Sequence, residues 1–163
     1  MIVHTVTYFL MGITAMFTMD YAALLASPVM SEYMRPIDDP LVRVSTLFQP
    51  IRGALFGLVF YALRESILVR KDGWKISWLM LVVVGILSTF GPTPGSIEGL
   101  IYTQIPLWAQ LKGMPEVTIQ ALLLAYLSHA WITRPELKWL PRVLVAMFVL
   151  IFTIIIAGNI FIA

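Results

Sequence analysis

Long, uninterrupted apolar runs dominate the pattern of this chain, and polar residues collect in short stretches between them. A helix needs about 20 apolar residues to cross the ~30 Å hydrocarbon core of a bilayer. Five runs reach or approach that length, at about 2–26, 45–68, 74–90, 117–132 and 143–163. Because the alternation typical of a membrane barrel is absent, the pattern predicts an all-α, polytopic membrane protein. We expect five transmembrane helices in a single bundle that covers residues 1–163.

One further apolar segment, "PGSIEGLIYTQIPLWAQL" at 94–111, is ambiguous because it could form a sixth span. The distribution of basic residues distinguishes the two topologies, since cytoplasmic loops are enriched in Lys and Arg. Five spans place seven basic residues on one side and three on the other, whereas six spans give five against five. The seven are Arg64, Arg70, Lys71, Lys75, Arg134, Lys138 and Arg142, and the three are Arg35, Arg43 and Lys112. The asymmetric solution is preferred, so segment 94–111 is expected to be a short re-entrant or interfacial element between helices 3 and 4.

The same asymmetry predicts a cytoplasmic N-terminus and a C-terminus on the opposite side of the membrane. No Lys or Arg precedes Arg35, so the first apolar run lacks the basic region of a signal peptide and is interpreted as an uncleaved span. A bacterial inner membrane is the expected location, and an organellar membrane remains an alternative.

Composition supports the membrane class and excludes several kinds of site. The chain is 60% hydrophobic and 12% charged, whereas soluble domains are about 45–50% apolar and about 25% charged. It contains no cysteine, which rules out disulfides and thiolate metal ligands, and its net charge of +2 gives no argument for nucleic acid. No catalytic or metal-binding motif occurs, and the sequence indicates no particular cofactor.

The second predicted helix carries an unusual stripe of small and polar residues. Gln49, Gly53, Gly57, Phe60 and Arg64 recur at helical spacing and therefore share one face. The two glycines form a small-xxx-small pair that permits close approach of another helix. We expect packing against a neighbouring helix along this stripe.

Five-span topology brings several polar residues towards the outer side, where they could bind a small polar ligand, an ion or a lipid headgroup. An ionised group in hydrocarbon costs several kcal/mol and usually has a partner, so Asp20 and Arg52 are expected to pair. In "GPTPGSIEG", Thr93 is a candidate N-cap and Pro94 a candidate first residue of a short helix. The predicted ligand-binding residues are Asp20, Gln49, Arg52, Ser96, Glu98 and Gln120.

The preferred function is non-enzymatic: the chain binds or transports a small polar solute, or serves as a membrane subunit of a larger complex. Five helices of this length enclose little volume, so a homo-oligomer or partner membrane subunits are expected. One alternative is a membrane enzyme acting on a lipid, with Asp20 or Glu98 as base and Arg52 as a phosphate clamp. A further alternative is a haem anchor, in which His4 and His129 ligate the iron from facing helices.

Overall fold

Helices form all the regular structure of this protein. The computed structural model describes the backbone of residues 1–162 and the side chains of residues 1–158, and no strand occurs within that range. The α-helices are α1 Ile2–Met19, α2 Tyr21–Leu25, α3 Pro28–Ser31, α4 Pro40–Arg43, α5 Gln49–Ala62, α6 Gly73–Val82, α7 Ile97–Tyr102, α8 Leu107–Lys112, α9 Met114–Thr133 and α10 Trp139–Ile162. A 3₁₀ turn, Ser45–Phe48, precedes α5, and π-helical turns extend α5 and α6 over Arg64–Leu68 and Val83–Leu87. The all-α prediction is confirmed.

Two helices have the length and the apolar composition that crossing a membrane requires. They are Ile2–Met19 and Trp139–Gly158, and the apolar segment Gly73–Leu87 is shorter than that criterion. By length and composition these helices indicate association with a membrane, although buried core helices of soluble proteins can have the same properties. The five-span topology therefore stays a prediction, and the end of the fifth predicted span, at 163, lies outside the described residues.

The first predicted span, 2–26, is interrupted near its end. Helix α1 stops at Met19 because Asp20 adopts a left-handed conformation, with φ of 46°. This conformation is unfavourable for most residues with a side chain, but Asp tolerates it through local hydrogen bonding. The Asp20 carboxylate accepts a hydrogen bond from the Ala23 N–H at 3.3 Å and so caps the short helix α2. The chain changes direction here instead of continuing as one straight helix.

Segment 94–111 forms two helices of six residues, α7 and α8, joined by an extended stretch. Each helix is about 9 Å long, which is far less than a bilayer requires. The expected N-cap at Thr93 is wrong, because the helix begins later: the Ser96 hydroxyl accepts from the Gly99 N–H at 2.9 Å and donates to the Thr93 carbonyl at 2.7 Å. A hydroxyl makes a better cap from the Ser96 position because it satisfies both groups at once.

Helix α9 occupies the centre of the packing, in contact with α1 on one side and α6 on the other. The Trp78 indole N–H donates to the Thr118 carbonyl at 3.1 Å, which ties α6 to α9 near its start. Further along, the Trp74 and Tyr126 rings meet edge to face with centroids 5.7 Å apart. These contacts run in opposite directions along the two helices, so α6 and α9 are antiparallel. The main apolar core lies between α1, α9 and α10, with Val3, Val6, Leu124, Ala130, Leu140, Leu144 and Ile151 as its buried members.

Close approach of α1 and α5 uses one of the two predicted glycines. A Cβ at Gly53 would lie 2.8 Å from both the Cα and the carbonyl oxygen of Met1, and 3.2 Å from the Cβ of His4. A Cβ at Gly57 would meet nothing within 4 Å. Only the first half of the small-xxx-small pair therefore packs against a helix of the same chain.

A second, smaller cluster joins the loops that follow α1 and α7. Leu24 and Met30 are buried against Ile105 and Ala109. The Tyr21 hydroxyl donates a short hydrogen bond to the Glu116 carboxylate. The stretches after α1 and after α7 thus form one packed layer.

Candidate ligand-binding site

A cavity of about 100 Å³ lies between α1, α5, α9 and the π-helical turn that follows α6. Polar side chains of His4, Arg52 and Gln120 line it together with the backbone of Gly85. The rest of the wall is apolar: Phe56, Leu81, Ile86, Val117, Ala121 and Leu124. This volume is several times the ~10–15 Å³ that one water molecule needs by the same measure. The cavity can therefore hold a ligand of a few non-hydrogen atoms.

His4 is the most deeply buried polar group of this cavity, with 2% of its surface exposed. Its Nε2 lies 3.2 Å from the Oε1 of Gln49, and its ring meets Phe56 edge to face at 5.0 Å. The amide oxygen of Gln49 can only accept, so the imidazole must carry its proton on Nε2. The Nδ1 atom is buried and has no hydrogen-bond partner. In the neutral ring this atom is an acceptor that the protein leaves unsatisfied, which costs about 1–3 kcal/mol.

Arg52 stands at the exposed edge of the cavity, one helical turn after Gln49. Its guanidinium carbon is 5.7 Å from the centroid of the Phe56 ring, a cation–π contact. Among the side chains of residues 1–158, no carboxylate forms an ion pair with it. The guanidinium thus keeps most of its five donors available for a ligand.

Gln120 completes the polar wall from α9. Its side chain is half-buried, and its amide makes no hydrogen bond within the described side chains. An amide presents both a donor and an acceptor. The cavity therefore brings together a cation and an amide that have no protein partner among the described side chains, beside the buried imidazole of His4.

The structure brings together three of the six predicted ligand-binding residues. Arg52 and Gln120 line the cavity, and Gln49 holds His4 in position. The expected reason for the grouping is wrong, because α5 begins level with His4 and not with the far end of α1. Asp20 is sixteen residues further along the chain, about 24 Å away along a helix axis.

The expected pair between Asp20 and Arg52 is consequently not formed. Asp20 is exposed and caps α2, and Arg52 contacts Phe56 instead. Ser96 caps α7 and Glu98 lies in its first turn, and neither lines the cavity beside Arg52. The lipid-enzyme hypothesis required Asp20 or Glu98 next to Arg52, and the structure does not bring them there.

The two histidines do not share a site. The Nε2 of His129 lies 2.9 Å from the Arg70 carbonyl oxygen, and this contact joins α9 to the turn before α6. The cavity lined by His4 does not include His129. The two ring nitrogens of His129 contact the Arg70 carbonyl oxygen and the Thr133 hydroxyl, so neither is free to ligate an iron beside His4 in this structure.

Sequence reasoning missed His4 as a partner of Gln49 and Arg52. The glycine stripe contained the relevant signal, since Gly53 lies one turn after Gln49 and allows the start of α1 to pack closely there. Sequence reasoning also missed Gln110, which is 3% exposed. Its amide donates to the Ile105 carbonyl at 2.8 Å and accepts from the Gly95 N–H at 3.2 Å, which fixes the loop around α7.

No protein-family model matches this chain, and neither curated proteins nor solved structures give a match. The site is therefore interpreted from its own geometry.

Proposed function

We propose that this protein is a five-span protein of a bacterial inner membrane that binds a small carboxylic acid and moves it across the bilayer. The observation that supports the ligand is the convergence of Arg52 and Gln120 on one cavity, whose wall also contains the buried ring of His4. In this topology the N-terminus is cytoplasmic. The excess of basic residues in two loops, the one after the second span and the one after the fourth span, supports this orientation.

The outer faces of the long helices support placement in a membrane. Phe17 is 87% exposed and Leu58 is 67% exposed, and further large apolar side chains are exposed on α1, α5 and α10. Contiguous apolar surface of this kind is unfavourable in water and marks an interface with lipid or protein. Lipid tails would cover these faces on all five helices.

The chemistry of Arg52 and Gln120 favours a carboxylate. One oxygen of the carboxylate would accept from the Arg52 guanidinium, and the Gln120 amide would donate to the same group. A guanidinium beside a carboxyl group stabilises its ionised form, so the ligand would bind as the anion. The cavity of about 100 Å³ is partly open and suits a small ligand such as formate or acetate.

A cavity of this volume encloses a ligand but not a path through ~30 Å of hydrocarbon. The proposal therefore includes a homo-oligomer, or partner membrane subunits, that complete the path. These copies would pack against the exposed apolar face of the bundle, where they would compete with lipid for the same contacts.

Acetate binding to the purified protein in lipid nanodiscs tests the ligand. We expect calorimetric binding that weakens as the pH falls through the pKa of the free acid, because the Arg52 guanidinium binds the carboxylate. Arg52→Gln should weaken it at least roughly tenfold, since hydrogen bonds to charged groups contribute about 1.5–3 kcal/mol. Arg43→Gln, which removes a basic residue from α4, is the matched control and should leave affinity unchanged.

Three further results would contradict the proposal. If Arg52→Gln and Arg43→Gln changed the affinity for acetate equally, or if neither formate nor acetate bound, a carboxylic acid would be excluded as the ligand. Tags after residue 158 and before Met1 that are accessible from the same side would remove the five-span topology. Flux of labelled acetate into liposomes that contain only this protein would then separate transport from binding.

A further inference from the structure

A second concavity, which shares the Phe56 and Leu124 walls with the polar cavity, is an apolar groove of about 470 Å³ between the start of α1, the length of α5 and the last turns of α9. Gly57 lines it, and a Cβ there would meet nothing within 4 Å. Phe60, Leu124 and Trp131 supply apolar walls, and Arg64 lies at one end. The volume lies within the about 300–1,000 Å³ of ordinary ligand sites.

The groove has one polar end and one apolar body. Arg64 is 48% exposed and pairs with Glu65 at 3.1 Å, but Glu65 is itself 86% exposed. Such surface ion pairs contribute little and exchange readily with other anions. Tyr61 and Trp131 lie beside this end, and both residue types favour the boundary between headgroups and hydrocarbon.

The charge around that end is strongly positive. The segments 64–75 and 134–142 contain seven basic residues, Arg64, Arg70, Lys71, Lys75, Arg134, Lys138 and Arg142, and three acidic residues, Glu65, Asp72 and Glu136. A planar guanidinium binds phosphate with two parallel hydrogen bonds, which an ammonium cannot do. The groove therefore offers an apolar channel that ends at a phosphate-binding side chain in a basic surface.

We infer that this groove binds one anionic phospholipid, with an acyl chain over Gly57 and the phosphate at Arg64. A second copy of this chain would need an apolar helix that also brings an acidic residue to Arg64, whereas a phospholipid has both features in one molecule. The inference rests on the membrane placement in the proposed function and does not depend on the acetate site.

Native mass spectrometry of the protein in detergent, with phosphatidylglycerol or phosphatidylcholine added, tests the inference. We expect one tightly retained phosphatidylglycerol and weaker retention of phosphatidylcholine. Arg64→Gln should reduce this preference by roughly tenfold, and Arg64→Lys should restore only part of it. Arg43→Gln, which removes an exposed cation outside the groove and outside both basic segments, is the matched control for charge.

Gly57→Leu fills the groove and should abolish retention of both lipids. Gly12→Leu is its control, because a Cβ at Gly12 of α1 also meets nothing within 4 Å but lies outside the groove. Equal retention of the two lipids, or unchanged retention in Gly57→Leu, would overturn the inference. A dimer that Gly57→Leu abolishes, with no lipid retained, would also overturn it and would assign the groove to a second copy.

Acetate binding in the same preparations separates this inference from the proposed function. Arg64→Gln should lose phosphatidylglycerol and keep its affinity for acetate. Loss of acetate binding alone would leave the lipid groove standing, and loss of lipid preference alone would leave the carboxylic acid site standing.

Discussion

Gly53 is the position at which a single methyl group should have the largest effect on helix packing. Its substitution by alanine places a Cβ 2.8 Å from two backbone atoms of Met1 and 3.2 Å from the Cβ of His4. Ordinary van der Waals contact begins at about 3.4 Å. The start of α1 must therefore move away from α5 by about 0.6 Å, because backbone atoms cannot rotate out of the way as a flexible side chain can.

Comparison with Gly57→Ala isolates the steric term. Both glycines lie in the interior of α5, where alanine is favoured over glycine by about 0.5–1 kcal/mol. That gain is common to both variants and cancels in their difference, since Gly57 has open space and Gly53 does not. Overpacking of a well-packed site costs about 1–3 kcal/mol. Gly53→Ala should thus be less stable than Gly57→Ala by about 1–3 kcal/mol.

Thermal unfolding of the two variants in the same detergent measures this difference. For a chain of this size 1 kcal/mol corresponds to about 2–4 °C in Tm, so the two midpoints should differ by about 2–12 °C. Gly53→Ala should also weaken acetate binding, because displacement of α1 separates His4 from Gln49. Identical midpoints for the two variants would refute the packing of α1 on α5 and, with it, the placement of His4 at the cavity.

Two further predictions concern the loops. Gln110→Leu leaves buried backbone groups of the loop around α7 without partners, at about 1–3 kcal/mol each. This loop should therefore become sensitive to proteolysis. Gln104→Leu should not change the rate of proteolysis, because Gln104 is exposed and makes no hydrogen bond in the described part of the chain. Two hydrogen bonds hold the pKa of Asp39 below its ordinary value of 3.8. The larger effect comes from the Leu41 N–H and the smaller one from the Arg35 guanidinium. The contribution of Asp39 to the free energy of unfolding is therefore present above pH 3.8 and is lost as the pH falls through the lower pKa of the folded state. The protection factor of the Leu41 amide, which is its exchange rate relative to the intrinsic rate at the same pH, should fall over that interval, and Asp39→Ala should show low protection at every pH.

Hydropathy predicted the helical class and the approximate positions of the long helices, because burial of apolar residues depends mainly on local sequence. It did not predict the break after Met19. A left-handed Asp20 is stabilised by its own hydrogen bond to Ala23, and an apolar run of even composition contains no sign of that choice.

The alignment of α1 with α5 could not be read from the sequence for a different reason. A helical stripe specifies which residues share a face but not how far one helix slides along another. The prediction assumed that neighbouring spans begin and end at the same level, which set Gln49 beside Asp20. Contact of Gly53 with Met1 instead sets Gln49 beside His4, so a tertiary contact between backbones determined the composition of the site.

Polarity within an apolar chain proved to be an incomplete indicator of function. Ser96 and Gln110 are both buried, yet their hydrogen bonds are completed by the backbone of the loop around α7, so their role is to fix that loop. Arg52 and Gln120 are equally polar, but the described residues complete neither of them. Arg52 is exposed and Gln120 is half-buried, so water can serve as their partner, and it is their position beside one cavity that motivates the proposed ligand. This distinction requires coordinates, and it separates Ser96 from Arg52 and Gln120, which the sequence prediction had placed in one site.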